Sequence, residues 1–150
     1  MKVVKKLQIM FLVMLLNLST PLGFSADAVG EISVEINGLK SSDGFVMVSL
    51  FADADAFPIK PEKAYKKLRG KISRKIAQVQ FVDVPHGEYA IAVYHDENAN
   101  GKLDTNFIGI PNEGLGSSND ARGRFGPPKF IDAKFRLNED QNNLSITVTY

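Results

Sequence analysis

The sequence predicts an all-β domain, an antiparallel β-sandwich of about seven strands that carries one long ordered loop. Three observations predict it: short runs that alternate apolar and polar residues, turn signals at intervals of roughly ten residues, and the lack of a long amphipathic helix. With 150 residues, 44% of them hydrophobic, the chain suits a single domain with a core of its own.

The first segment stands outside that domain. Lys2, Lys5 and Lys6 open it, and the apolar run LQIMFLVMLLNL that follows is too short to span a bilayer. Pro21, Gly23 and the small residues of FSADA come next. This is the layout of a secretory signal peptide over residues 1–26, cleaved after Ala26 or, as second choice, after Ala28, which leaves 27–150 as the folded domain. Export to the periplasm or beyond is the expectation, with no transmembrane span in the mature chain.

Cleavage removes three of the 18 Lys and Arg residues and none of the 17 acidic ones, so the mature chain carries −2. Nothing in that balance calls for nucleic acid as a partner. There is no cysteine, which excludes disulfides, thiolate metal sites and a lipidated cysteine anchor. Stability has to come from packing, a metal or oligomerisation.

Each element has its own signal. EISVEI (Glu31 to Ile36) sets Ile32, Val34 and Ile36 against Glu31, Ser33 and Glu35, with period two. NGLKSSDG is a turn-rich connection, and FVMVSLF (Phe45 to Phe51) is apolar enough for a central strand covered on both faces. KPEKAYKKL (Lys60 to Leu68) is the one helical candidate, stopped near Gly70. IAQVQFVDV (Ile76 to Val84) leads through Pro85-His86-Gly87 into EYAIAVYHD, where Tyr89, Ile91, Val93 and His95 share one face. KFIDAKFRL and LSITVTY supply two further strands. The stretch Thr105 to Pro128, rich in Gly and Pro, is a long irregular loop, and such loops tend to be functional when ordered.

HDENANGKLD carries the chemistry. Asp96, Asn98, Asn100, Gly101 and Asp104 occupy positions 1, 3, 5, 6 and 9 of a D-x-N-x-N-G-x-x-D loop, and Lys102 at position 7 offers its carbonyl. Short oxygen-bearing side chains at alternate positions, with a glycine where the chain folds back, suit a hard cation, and Ca²⁺ is the expected cofactor. Position 12 holds Phe107 instead of the bidentate glutamate of an EF-hand, so the missing ligand has to come from the following loop, where Glu113 and Asp120 are candidates. Two other readings use the same residues: an Asx-rich turn without an ion, and a catalytic cluster in which His95 is a general base beside Asp96 with Glu113 as acid. On its face of the strand, His95 also reads as a satisfied histidine at the core's rim.

A second feature is charge. From Lys60 to Lys75 there are eight cations and one anion, Glu62. The segment reads either as a solvated face with lysines guarding a strand edge or as a patch for an anionic envelope surface.

VPHGEYAIAVYHDENANGKLDTNFIGIPNEGLGSSND, followed by FGPPKFIDAKF, resembles the exported bacterial family catalogued as domain of unknown function 2141, over about Val34 to Tyr150. PHGEYAIAVY also looks like the P-x-G-x-Y strand of prealbumin-like and carboxypeptidase-regulatory-like β-sandwiches. One departure is at GLGSSN, where the family pattern leads to an aromatic near Leu115 or between Gly116 and the Ser-Asn pair. The resemblance implies a prealbumin-like sandwich and an accessory or binding module in preference to an enzyme. The function expected is therefore a non-enzymatic exported binder of an envelope glycan, lipid or protein with a Ca²⁺-stabilised loop at Asp96, Asn98, Asn100, Lys102, Asp104 and Glu113. The alternative is a hydrolase or lyase using His95, Asp96 and Glu113.

Overall fold

The computed structural model describes residues 28–150, so the signal peptide assigned to 1–26 lies outside the described residues. The chain is all-β as expected, but eight strands form it. They are β1 (Val29–Asn37), β2 (Phe45–Phe51), β3 (Lys66–Ser73), β4 (Ile76–Pro85), β5 (Gly87–Asp96), β6 (Leu115–Ser117), β7 (Phe135–Leu137) and β8 (Gln141–Thr147). Among the described residues no helix is long and apolar enough to cross a membrane.

The antiparallel sandwich is corrected by the topology. The strands run in one order, β6-β5-β2-β3-β4-β1-β8, with β7 added to the start of β5. β8 pairs with β1 in parallel, Ile32 opposite Asn142 through Asn37 opposite Thr147, while every other strand pair is antiparallel. Leu115 of β6 then exchanges both backbone hydrogen bonds with Thr149, at 2.8 and 2.9 Å, beyond the end of β8. The sheet thus comes round almost to a closed barrel. Alternating hydrophobicity reports which face of a strand is buried, but not its direction or its neighbours.

The corner of the barrel is β3, a strand where a short helix was expected. Only Pro61–Lys63 forms a 3-10 turn, and the chain is extended from Ala64. Along β3 the inward positions are Leu68, Gly70 and Ile72, against outward Lys67, Arg69 and Lys71, which is period two. Its first six residues pair with β2 and its last two with β4, so it links the two halves of the sheet. Gly70 faces Val46 across the pair, and a Cβ there would sit 2.7 Å from a Val46 methyl and 2.8 Å from one of Val79. The basic segment is consequently part of a central strand, with its cations on the outer face.

Two further expectations are revised. In KFIDAKFRL only β7 is a strand, because Phe130–Ala133 makes one helical turn (α1) that covers the sheet. The stretch Thr105 to Pro128 is less irregular than expected, since it contains β6 and a 3-10 turn at Ser118–Asp120.

The interior is filled from the inward positions of the strands: Ile32, Val34 and Ile36, Val46, Val48 and Leu50, Ala77, Phe81 and Val84, Tyr89, Ile91 and Val93, and Ile146. Each large aliphatic side chain buried this way contributes about 1.5–3 kcal/mol before entropy is counted. β2 and β5 are covered on their outer face too, where Phe51 and Ala90 meet Ala56, Phe57 and Ala133. Phe57 packs edge-on against Phe51 and Phe130, with ring centroids 5.5 and 6.0 Å apart.

Candidate functional site

The site grows out of the end of β5. His95 and Asp96 are the strand's last two residues, both fully buried, and the chain turns directly into the Asp96–Asp104 loop. Gly101 bends it back at φ +76°, and Ala99 also lies in the left-handed region, at φ +59°. The two oxygens of Asp96 accept the backbone N–H groups of Asn100 and Gly101 at 3.0 and 2.8 Å, so the loop is wrapped around that carboxylate. Asn98 Oδ1 accepts from Asn100 N–H and Asn100 Oδ1 from Lys102 N–H, as in Asx turns. The Asn98 and Asn100 amides both donate to Asp104, at 2.6 to 3.1 Å.

Glu113 joins the loop from outside. Its carboxylate accepts Glu97 N–H at 3.2 Å on one oxygen and Asp104 N–H at 3.1 Å on the other, so it clamps the two ends together. Only 7% of Glu113 is exposed. The structure therefore brings together Asp96, Asn98, Asn100, Asp104 and Glu113, with the Lys102 backbone held in the same turn. Asp120 is not part of this group, because its carboxylate accepts Thr147 N–H at 2.8 Å beside the end of β8.

The donors are all oxygens from carboxylates, amides and a carbonyl, the set a hard cation prefers. Among the described residues no three or more His, Cys, Asp or Glu side chains cluster as a metal site would require, so asparagine and backbone oxygens would have to complete any coordination. The side-chain amide nitrogens of Asn98 and Asn100 both hydrogen-bond the Asp104 carboxylate. Burial, and then the nearby charges of Asp96 and Glu113, push the Tyr94 phenol above its ordinary pKa of 10.0.

His95 is a satisfied buried histidine. Its Nε2 lies 2.8 Å from the Asp43 carbonyl, which can only accept, so that nitrogen carries the proton. Its Nδ1 lies 2.6 Å from the Tyr150 hydroxyl, which in turn accepts Lys40 N–H at 3.1 Å. Lys40 also pairs with Glu97 at 2.8 Å, and that contact raises the lysine's pKa. Both nitrogens of His95 are occupied, and each oxygen of Asp96 and of Glu113 accepts one backbone N–H.

Tyr150, Lys40, Asp43 and Glu97 escaped the sequence reading, since no local spacing ties them to His95. GLGSSND is explained in a different way. The Ser118 hydroxyl, fully buried, donates to Ala133 C=O at 2.6 Å and accepts Ile91 N–H at 2.9 Å. Asn119 donates to Lys134 C=O at 2.9 Å. The motif fastens the loop to β5 and α1. Elsewhere, a shallow depression of about 480 Å³ on the outer face of β4, β1 and β8 is lined by Ser33, Glu35, Gln78, Gln80 and Asn143, groups that can hydrogen-bond a polar ligand.

No curated protein and no solved structure matches the chain. The model of a family described as an uncharacterized protein conserved in bacteria (DUF2141) matches residues 34–145, from β1 through most of β8, with the whole Asp96–Glu113 site inside it. The chain belongs to this uncharacterised bacterial family.

Proposed function

We propose that this is an exported, non-enzymatic binding module on a nearly closed all-β frame, whose Asp96–Asp104 loop is ordered by Ca²⁺. The observation that carries the reading is the convergence of Asp96, Asn98, Asn100 and Asp104 within one turn, clamped by the carboxylate of Glu113. Asp96, Asp104, the amide oxygens of Asn98 and Asn100, and the Lys102 carbonyl would hold the ion, and Glu113 would either complete the set or keep its present role as clamp. With two carboxylates in the loop itself, affinity falls in the range of roughly 10⁻⁴ to 10⁻³ M expected of extracellular modules. The ordered loop then presents a surface to an envelope glycan, lipid or protein.

Thermal melting with calcium and with chelator tests this. Binding to the folded state alone adds about 1.4 kcal/mol at ten times Kd, enough to raise Tm by several degrees in a domain of this size. The Asp96→Asn variant, which keeps an acceptor for only one of the two loop amides and removes the charge, should lose most of the shift. Identical melting curves at 10 mM calcium and in chelator would sink the proposal.

A further inference from the structure

The Asp96–Asp104 loop is the base of a second feature. Thr105 and Pro111 form a bridge, and Asn112 N–H donates to Asp104 C=O at 2.9 Å, so residues 106–110 project as a tight tip. Phe107 is 98% exposed, Ile108 63% and Ile110 55%. Three large apolar side chains within four residues of the tip are not explained by the core, which none of them touches.

Four of the tip's five N–H groups are satisfied from within. Asn106 Oδ1 accepts the N–H groups of Ile108 and Ile110 at 3.0 and 2.9 Å, Asn106 C=O accepts Gly109 N–H at 3.0 Å, and Asn106 N–H donates to Ile110 C=O at 2.8 Å. Pro111 has no N–H to satisfy. Such closure lowers the cost of carrying this backbone towards an apolar medium.

The same end of the barrel is cationic. The β3–β4 hairpin turns through Arg74 and Lys75, both exposed and both in the left-handed region at φ 50° and 62°. Lys75 N–H donates to Ser42 Oγ at 3.0 Å, Asp43 C=O receives His95 Nε2, and Gly44 lies against the Asp96 carbonyl, so hairpin and tip share one end. Lys71, Arg74, Lys75 and Lys102 are exposed there, against two exposed carboxylates, those of Asp43 and Glu35. Glu97 is paired to Lys40, Asp104 is half-buried, and Asp96 and Glu113 are buried.

We infer that this end docks on an anionic lipid surface, with Phe107, Ile108 and Ile110 entering the boundary between headgroups and acyl chains and the basic hairpin resting on the headgroups. Three side chains on a convex tip offer far less than the roughly 1,000 Å² a stable protein interface buries, but a bilayer accepts a small apolar wedge flanked by cations. The inference stands whether or not the loop below holds an ion.

The chain contains no tryptophan, so Phe107→Trp places a single reporter at the tip. It also separates the tip from the apolar run within residues 1–27, which could bind lipid independently. Full-length protein is mixed with vesicles of phosphatidylglycerol and phosphatidylcholine, and with vesicles of phosphatidylcholine alone. The expected result is a blue-shifted emission, quenched by acyl-brominated lipid, on the anionic vesicles and weaker on the neutral ones. High salt should reduce it. Replacing Arg74 and Lys75 by Asn and Gly, which keeps the left-handed turn, should weaken the response to anionic vesicles about tenfold or more, as should Ile108→Ser with Ile110→Ser. Emission that stays that of a water-exposed indole with both vesicles overturns the inference. So does a blue shift that depends on protein concentration without lipid, which would assign the tip to a second copy of the chain.

Discussion

The hydroxyl of Tyr150 lies 2.6 Å from Nδ1 of His95, across the top of the barrel from a residue 55 positions earlier in the chain. Because the opposite nitrogen, Nε2, is committed to the Asp43 carbonyl, Tyr150 is the proton donor to Nδ1. Tyr150→Phe leaves a buried acceptor without a partner, which costs about 1–3 kcal/mol. Urea denaturation of the variant should show that loss with an unchanged m-value. A stability equal to that of the parent would mean that water replaces the hydroxyl and that His95 is less enclosed than its burial indicates.

Alkaline pH probes the same region. Burial raises the phenols of Tyr89, Tyr94 and Tyr150 above their ordinary value, with the charges of Asp96 and Glu113 adding to the effect at Tyr94. A raised folded-state pKa means that the unfolded chain ionises first. Stability is therefore complete below about pH 10 and falls as pH rises through the folded values. Absorbance titration should show Tyr89, Tyr94 and Tyr150 ionising only above the ordinary range. Tyr94→Phe should remove one of those late titrations without moving the others by more than a few tenths.

Glu113 is placed to hold the two ends of the Asp96–Asp104 loop. Glu113→Ala removes both acceptors, so hydrogen exchange at the amides of Glu97 and Asp104 should accelerate by ten- to a hundredfold, which corresponds to a local loss of about 1.4–2.7 kcal/mol. Amides in the middle of β5 should keep their protection. Equal protection at Glu97 and Asp104 in variant and parent would show that the loop is held by Asp96 and the asparagines alone.

Gly70 shows where the sequence was legible and where it was not. The strands with clean alternation or long apolar runs, β1, β2, β5 and the last strand, could be read directly, because one face of each is filled by residues whose periodicity carries the information. β3 could not, because five of its eight residues are Lys, Arg or Gly and only Leu68 and Ile72 mark the inward face. Its conformation is imposed by the two strands on either side. In the same way, the carboxylates and amides of the Asp96–Asp104 loop were visible as a local pattern, while the His95–Tyr150–Lys40 contacts depend on the parallel pairing of β1 and β8 and had no local signature. The same crowding makes Gly70→Ala a test of the barrel's corner. The added methyl would press on Val46 and Val79, and the variant should lose about 1–3 kcal/mol in denaturation.

Ser118 gives the most direct test of whether the long loop belongs to the folded body. Its hydroxyl accepts Ile91 N–H from the middle of β5 and donates to Ala133 C=O in α1, so one side chain joins strand, loop and helix. Ser118→Ala keeps the volume close to unchanged but strands both backbone groups, and each buried orphan costs about 1–3 kcal/mol. Ser118→Thr keeps the hydroxyl and adds a methyl to a fully buried site, so its cost comes from overpacking alone. The alanine variant should both lower global stability and speed exchange at the Ile91 amide, whereas the threonine variant should keep the Ile91 amide protected even where it lowers Tm. If alanine leaves the Ile91 amide as slow to exchange as in the parent, the 118–134 segment is not fastened through this residue, and the covering of the outer face of β5 rests on Phe57, Phe130 and Ala133 alone.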